Sequence, residues 1–534
     1  MKELTATGTL LRLNLRRDRI KLPAWVIGLA FMAFYFSNAI TLAYPSQEDL
    51  SAIVSFMQGP AGTIMTGPGY GLDDPSYSTV FAAVYGFYLL IGAAFMNVLL
   101  IVRHTRQEEE TGRTEMTRSS VVGRHSPLAA AMLLALIANA ALGILIAVAM
   151  SGTGYGASGV ILFGASVASV GLVFAALTSI AVQAVEHART ATAIGSALIG
   201  AAVVIRGAGD VLEEQGSALS WFSPFAWAQQ TRVFVDPRWW PLVLCLALAV
   251  LSVLVAYALE SRRDVGAGFV APRLGRNSAT KRLSNPLALA MRLDRSNIIG
   301  WAVGLGIAGL LYGSLADSVQ QSFTDLPENM VAVMGGDETQ MLEGFLSIMV
   351  FFTSTLAACY AIVSVHRLSS EENSGRAEAI LSTAVSRLTW VTSSLATALI
   401  GAFTLLVAAG FSMGLAVALV LGEARYVPEL LVGHLAYLPA IAVIIALAGL
   451  GFALGPKYLN LAWFVAIYGI VMGYFGPLLD PPELFLQLSP FEHVARVPSD
   501  SLQAWPLVAL ALVALIVASG AVGLFRRRDM TTAA

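Results

Sequence analysis

The residues best suited to do chemistry stand in a stretch that occurs twice. Glu-Glu-Thr-Gly-Arg-Thr-Glu at 109–115 returns as Glu-Asn-Ser-Gly-Arg-Ala-Glu at 372–378. Glu109, Gly112, Arg113 and Glu115 match Glu372, Gly375, Arg376 and Glu378 at one constant offset, which Arg124 and Arg387 also keep. Each copy lies in a charged loop, 103–124 or 366–387, directly after an apolar span. The chemistry such residues offer is recognition. Charges of both signs fix the register of a partner, and a short amphipathic helix can lay an apolar face into a partner's groove. Met116, Val121 and Val122 would make that face in the first copy, and Ala379, Ile380, Leu381 and Val385 in the second. Loops that merely mark the inner side of a membrane need basic residues but no particular order, so an ordered motif kept in two copies asks for more.

The elements that hold these loops are membrane helices. The chain has 534 residues, of which 57% are hydrophobic and only 12% charged, against about 25% charged in a soluble globular chain. Its mean hydropathy is +0.72. Twelve apolar spans fall near 22–44, 79–102, 127–150, 157–184, 190–206, 240–260, 297–318, 345–365, 389–421, 432–455, 460–479 and 502–525. In lipid such spans must be helices, because no other open structure satisfies its own backbone hydrogen bonds. The fold class expected is therefore an all-α integral membrane protein of about twelve transmembrane helices. Glycines interrupt the fifth and eleventh spans, which are expected to be broken or re-entrant. All but Arg206, Arg232, Arg238, Arg425 and Arg496 of the 32 Lys and Arg residues fall on one side. Both termini are thus expected in the cytoplasm, with the chain in the cell membrane.

The repeat covers nearly the whole chain. Asp18-Arg19 and Trp25 match Asp294-Arg295 and Trp301; Ser223-Pro224-Phe225 matches Ser489-Pro490-Phe491; Arg262-Arg263-Asp264 matches Arg527-Arg528-Asp529. Each half holds six spans, an even number, so the halves run parallel. The division is 1–260 as the first half, 261–285 as a cytoplasmic linker, and 286–534 as the second half. Each half starts with a basic amphipathic segment, expected to lie in the inner interface before the chain turns into the membrane.

Other features are weaker. Aromatic and Met residues of the first two spans of each half, among them Phe34, Tyr35, Phe81, Tyr85, Tyr88, Met349 and Phe352, can line an adaptable apolar path. Two segments without Lys or Arg, 45–78 and 319–344, carry apolar residues before glycines. Phe56, Met57, Gly59, Met334 and Gly335 are expected in an outer gate or lid. Cys245 and Cys359 sit in apolar spans with no metal-ligand spacing, and no metal site is expected. The four lysines, Lys2, Lys21, Lys281 and Lys457, stand outside any phosphate-binding loop.

A Glu-x-x-Gly-Arg-x-Glu loop after the second span, duplicated in two six-span halves, resembles the permease subunits of ABC-2-type exporters. It is most similar to the fused actinobacterial permeases of the tetronasin or polyketide-antibiotic and multidrug efflux type. The resemblance implies that Glu109, Gly112, Arg113, Glu115, Glu372, Gly375, Arg376 and Glu378 belong to two coupling regions that dock two copies of a separate ABC ATPase. It implies a hydrophobic or amphiphilic cargo, lipid as surroundings and no nucleic acid. ATP and Mg would be bound by the partner, with no cofactor and no enzymatic activity in this chain. Three alternatives remain open: an ion-coupled drug antiporter with two six-helix halves, a membrane enzyme, and a scaffold that docks an ATPase without transporting. The spans contain almost none of the buried acids that an antiporter needs.

Overall fold

The computed structural model describes residues 2–44, 46, 50, 54, 60–213, 216–270, 278, 280, 283, 285–317, 319–320, 338–479 and 482–529. Among the described residues the regular structure is helical, and eleven helices are long and apolar enough to cross a membrane. The chain divides into two compact units, residues 1–275 and 276–534.

The first unit contains α1 (Thr7–Arg17), α2 (Lys21–Ala43), α3 (Pro60–Thr66), α4 (Tyr77–Val84), α5 (Gly86–His104), α6 (Arg106–Glu110), α7 (Arg113–Arg118), α8 (Ser126–Met150), α9 (Ala157–Ala184), α10 (Ala188–Leu212), α11 (Pro224–Gln229) and α12 (Pro241–Glu260). Its core gathers around α9, which packs on α5, α8, α10 and α12. Small residues let the backbones approach, as membrane helices require when lipid tails compete for every apolar face. A Cβ on Gly164 would lie 2.4 Å from the carbonyl oxygen of Gly143 across the α8–α9 crossing. Asn97 of α5 and Asn139 of α8 form a reciprocal amide pair at 3.0 and 2.8 Å. Such an interhelical bond is worth about 0.6–2 kcal/mol in lipid.

The second unit contains α13 (Pro286–Ser314), α14 (Glu338–Asn373), α15 (Arg376–Leu381), α16 (Arg387–Leu421), α17 (Tyr426–Ala436), α18 (Leu438–Leu454), α19 (Leu461–Leu479), α20 (Glu483–Gln487) and α21 (Ala504–Arg527). Here α16 packs along α13, and α18 along α21. Trp390, Phe452 and Phe525 close the motif-bearing end of α16, α18 and α21, with ring centroids 5.2–6.1 Å apart.

Several expectations are corrected. The fifth span is not broken: α10 runs unbroken for 25 residues. The eleventh is likewise one helix, α19, of 19 residues, but it is not among the eleven helices long and apolar enough to cross, so eleven and not twelve such helices stand among the described residues. Because α10 extends beyond 206, it carries a buried ion pair, Arg206–Asp210 at 3.4 Å. Arg206 therefore does not sit in outer solvent. Its guanidinium caps the carbonyls of Thr63 and Ile64 and stacks 4.0 Å over Phe87.

The entry to each unit also differs. In the first, the basic segment α1 is separate from α2. In the second, the corresponding segment runs straight into the span as one 29-residue helix, α13. The residue matched to Pro23 is Ile299. Proline lacks an N–H and clashes with the carbonyl four residues earlier, so the first unit breaks over 18–20 while the second continues. Pro439 likewise stands in the first turn after the tenth span is interrupted at Tyr437, between α17 and α18.

Candidate functional site

The repeated motif builds the same backbone twice. In the first unit α6 ends, Gly112 adopts a left-handed φ of 72°, and α7 begins. In the second, α14 ends, Gly375 adopts φ 73°, and α15 begins. The hydrogen bonds repeat too. The Gly112 and Gly375 N–H groups donate to the carbonyls of Glu109 and Glu372, both at 3.0 Å, and those of Glu115 and Glu378 donate to Gly112 and Gly375, both at 3.2 Å. A Cβ on either glycine would meet nothing within 4 Å. The glycine is thus required by conformation and not by space, since the left-handed region is costly for other L-residues. We call each helix–glycine–helix unit an elbow.

The motif's side chains divide into an inward and an outward set. Glu109 and Glu372 point inward. Both oxygens of Glu109 bind Arg263, at 2.9 and 2.6 Å, and Oε2 also takes Arg106 at 2.6 Å. Glu372 binds Arg528 at 2.7 Å. Side-chain exposure in these pairs is 11% and 7%, and 3% and 16%. Thr114 and Ala377, at the variable position, are buried. Arg113 and Arg376 are exposed and fold back across the glycine to Glu108 and Glu371, at 3.3 and 2.8 Å. Glu115 and Glu378 are exposed, and neither forms an ion pair with a described residue. Met116 and Val121 are 76% and 86% exposed, an apolar surface beside charge. In the second elbow Ile380, Leu381 and Val385 are half-buried.

Arg124 and Arg387 close each elbow from its far side. Arg124 donates to the carbonyls of Glu260 and Arg263 at 2.9 and 3.0 Å, and Arg387 to that of Arg528 at 2.9 Å. Arg263 and Arg528 are the residues that reading the motif alone misses. Their signal was the repeated Arg-Arg-Asp that ends each half, which names a pair of equivalent positions but not what they bind.

Beside each elbow lies an aspartate from the matched Asp-Arg pair. Asp18 binds Arg103 at 2.8 Å and His104 at 2.5 Å. Burial opposes its ionisation, but the His104 hydrogen bond and the charges of His104, Arg103 and Lys21 outweigh burial and hold its pKa below the ordinary value. Asp294 accepts from Tyr360 and Ser364 at 2.9 and 2.8 Å, with Arg367 at 3.8 Å. Arg17 forks onto Glu108 at 2.6 and 2.7 Å, and this bond raises the Arg17 guanidinium above its usual value. In the second unit Leu293 takes the place of Arg17. There a cavity of about 320 Å³ opens between Leu289, Leu293, Ile380, Val385 and Trp390.

The family described as the C-terminal domain of the multidrug efflux system permease Rv1217c matches residues 8–259 and 283–526, one stretch in each unit. The multidrug efflux system permease protein Rv1217c of Mycobacterium tuberculosis (strain ATCC 25618 / H37Rv) is 36% identical over 533 residues, covering 98% of this chain and 95% of the relative. The chain belongs to this permease family.

In this permease the remaining sequence-predicted residues fall into place unevenly. The first unit gathers its aromatics: Phe31, Tyr35, Phe36, Tyr85 and Phe81 form a continuous row with centroid spacings of 4.5–6.5 Å. Phe34, Tyr35 and Tyr88 are exposed on the unit, whereas Phe81 is fully buried against Tyr155 and Phe163. Met349 and Phe352 are half-buried, and Phe352 meets Tyr312 at 6.0 Å. The gate residues Phe56, Met57, Gly59, Met334 and Gly335 lie outside the described residues. Ser223-Pro224-Phe225 and Ser489-Pro490-Phe491 each start a short helix with proline in its first turn and bury the phenylalanine.

Proposed function

We propose that this chain is the membrane-spanning part of an ATP-driven exporter. It moves hydrophobic or amphiphilic compounds out of the cell, and two copies of a separate ATPase supply the energy. ATP and Mg bind that partner, and both ends of this chain lie in the cytoplasm, where its Lys and Arg concentrate. The chain acts as a transporter and not as an enzyme. One observation carries the reading: two elbows with the same backbone each present an exposed Arg and Glu on a short helix, at φ 72° and 73° of the central glycine. The M. tuberculosis relative is named a multidrug efflux permease, which agrees with an apolar cargo.

The geometry sharpens how a partner would engage. Arg113, Glu115, Arg376 and Glu378 face solvent and are available for charge-matched docking. Met116 and Val121 add apolar surface to the first elbow. Glu109 and Glu372 instead hold the elbows to their own units. The ion-coupled antiporter gains nothing from α10: Asp210 is already taken by Arg206 and by Ser220 at 2.6 Å, so it offers no open carboxylate for an ion.

Charge reversal tests this. Arg113→Glu and Arg376→Glu, singly and together, are expected to leave the melting temperature within a few degrees, because exposed pairs are worth about 0–1 kcal/mol. They should reduce co-purification with the ATPase and ATP-driven efflux. A doubly reversed protein that still docks and exports normally would overturn the assignment.

A further inference from the structure

The last helix of each unit ends in an arginine that joins three elements. Arg263, just beyond α12, forks onto Glu109 of the first elbow, donates from Nε to Gln183 near the end of α9, and reaches the Ala267 carbonyl at 3.0 Å. Arg528, just beyond α21, donates to Glu372 of the second elbow and, at 2.6 Å, to the carbonyl of Phe452 near the end of α18. Its guanidinium also lies 5.2 Å from the Phe452 ring. In both units, therefore, one arginine ties the elbow to the fourth and the sixth membrane helix.

We propose that Arg263 and Arg528 are positioning residues that transmit movement of each elbow to the fourth and sixth helices of its own unit. The inference rests on the ATP-driven reading above. Three features separate it from simple bracing. The gripped carboxylate stands three residues before the left-handed glycine in both copies. Arg124 and Arg387, beyond the short helix, hold the same helix end, so the elbow is fixed to it on both sides of its hinge. A planar guanidinium shared between two elements also resists rotation as well as separation, which a point charge does not. A push on the outward face is passed on, because the elbow cannot bend without carrying α12 or α21 with it.

The test uses the full permease with its ATPase in proteoliposomes and reads three quantities: ATPase docking, ATP turnover, and cargo moved per ATP. Arg528→Ala, and separately Arg263→Ala, are expected to keep docking and turnover. Cargo moved per ATP should fall by about tenfold, in the range of typical coupling free energies. Arg528→Lys, which keeps the charge but loses the planar group shared between Glu372 and the Phe452 carbonyl, should fall between. Unchanged transport per ATP in Arg528→Ala overturns the proposal, as it does in Arg528→Gln should the alanine form not accumulate. A parallel fall of docking, turnover and transport that tracks lost thermal stability also overturns it, since that marks a brace alone. Wild-type transport that needs no ATP would instead sink the underlying reading, so the two failures are distinguishable.

Discussion

In the first elbow Glu108 is held by Arg17, which reaches over from a separate preceding helix; in the second, Glu371 is held by Arg367 of its own helix at 3.5 Å. The matched positions exchange charge. Where the first unit has Arg17 and His104, the second has Leu293 and Arg367. The residues around the inward glutamates differ as well: Arg106, which shares Glu109 with Arg263, is matched in the second unit by Ser369. The backbone of the elbow is thus common to both units while its bracing is rewired. The common part is the glycine turn, the inward Glu, the outward Arg and Glu, and the terminal arginine. These are the parts that the proposed docking and transmission would use twice. The rewired part leaves the two elbows in unequal surroundings.

The comparison can be broken at the shared element first. Gly112→Ala and Gly375→Ala should each cost about 1–2 kcal/mol, the penalty of a left-handed L-residue. The two costs should be nearly equal, since both sites are open and their φ angles agree within a degree. Thermal unfolding of the purified permease measures this. A cost confined to one unit would show that the two turns are not equivalent.

The rewired element gives a smaller effect. Arg17→Leu should destabilise by about 1 kcal/mol or less, because the pair is partly exposed. Leu293→Arg should be tolerated, its guanidinium entering the cavity toward Glu371. Stability loss beyond about 2 kcal/mol for Leu293→Arg, above what a surface pair can account for, would show that the second elbow does not accept the wiring of the first.

The sequence made the repeat, most of the apolar spans and the Gly-Arg-x-Glu loops readable, because each depends on local pattern; of the twelve spans expected, eleven are helices long and apolar enough to cross among the described residues. Glycine at a left-handed turn and long apolar runs act over a few residues. The split of Glu109 from Arg113 into inward and outward faces was not readable. It is decided by Arg263, which lies 154 residues away in sequence. The repeated Arg-Arg-Asp gave the position without its partner. Glycines in the fifth and eleventh spans predicted breaks that do not occur, since packed neighbours supply what low helix propensity lacks. Pro23 against Ile299, by contrast, was a local signal that explains why only the first unit has a separate entry helix.

The most direct measurement is efflux of a lipophilic dye by the permease reconstituted with its ATPase, with all ion gradients collapsed. The account predicts transport that continues in the absence of a gradient and stops when ATP hydrolysis is blocked. Transport by the permease alone, driven by a proton or sodium gradient and indifferent to ATP, would contradict it.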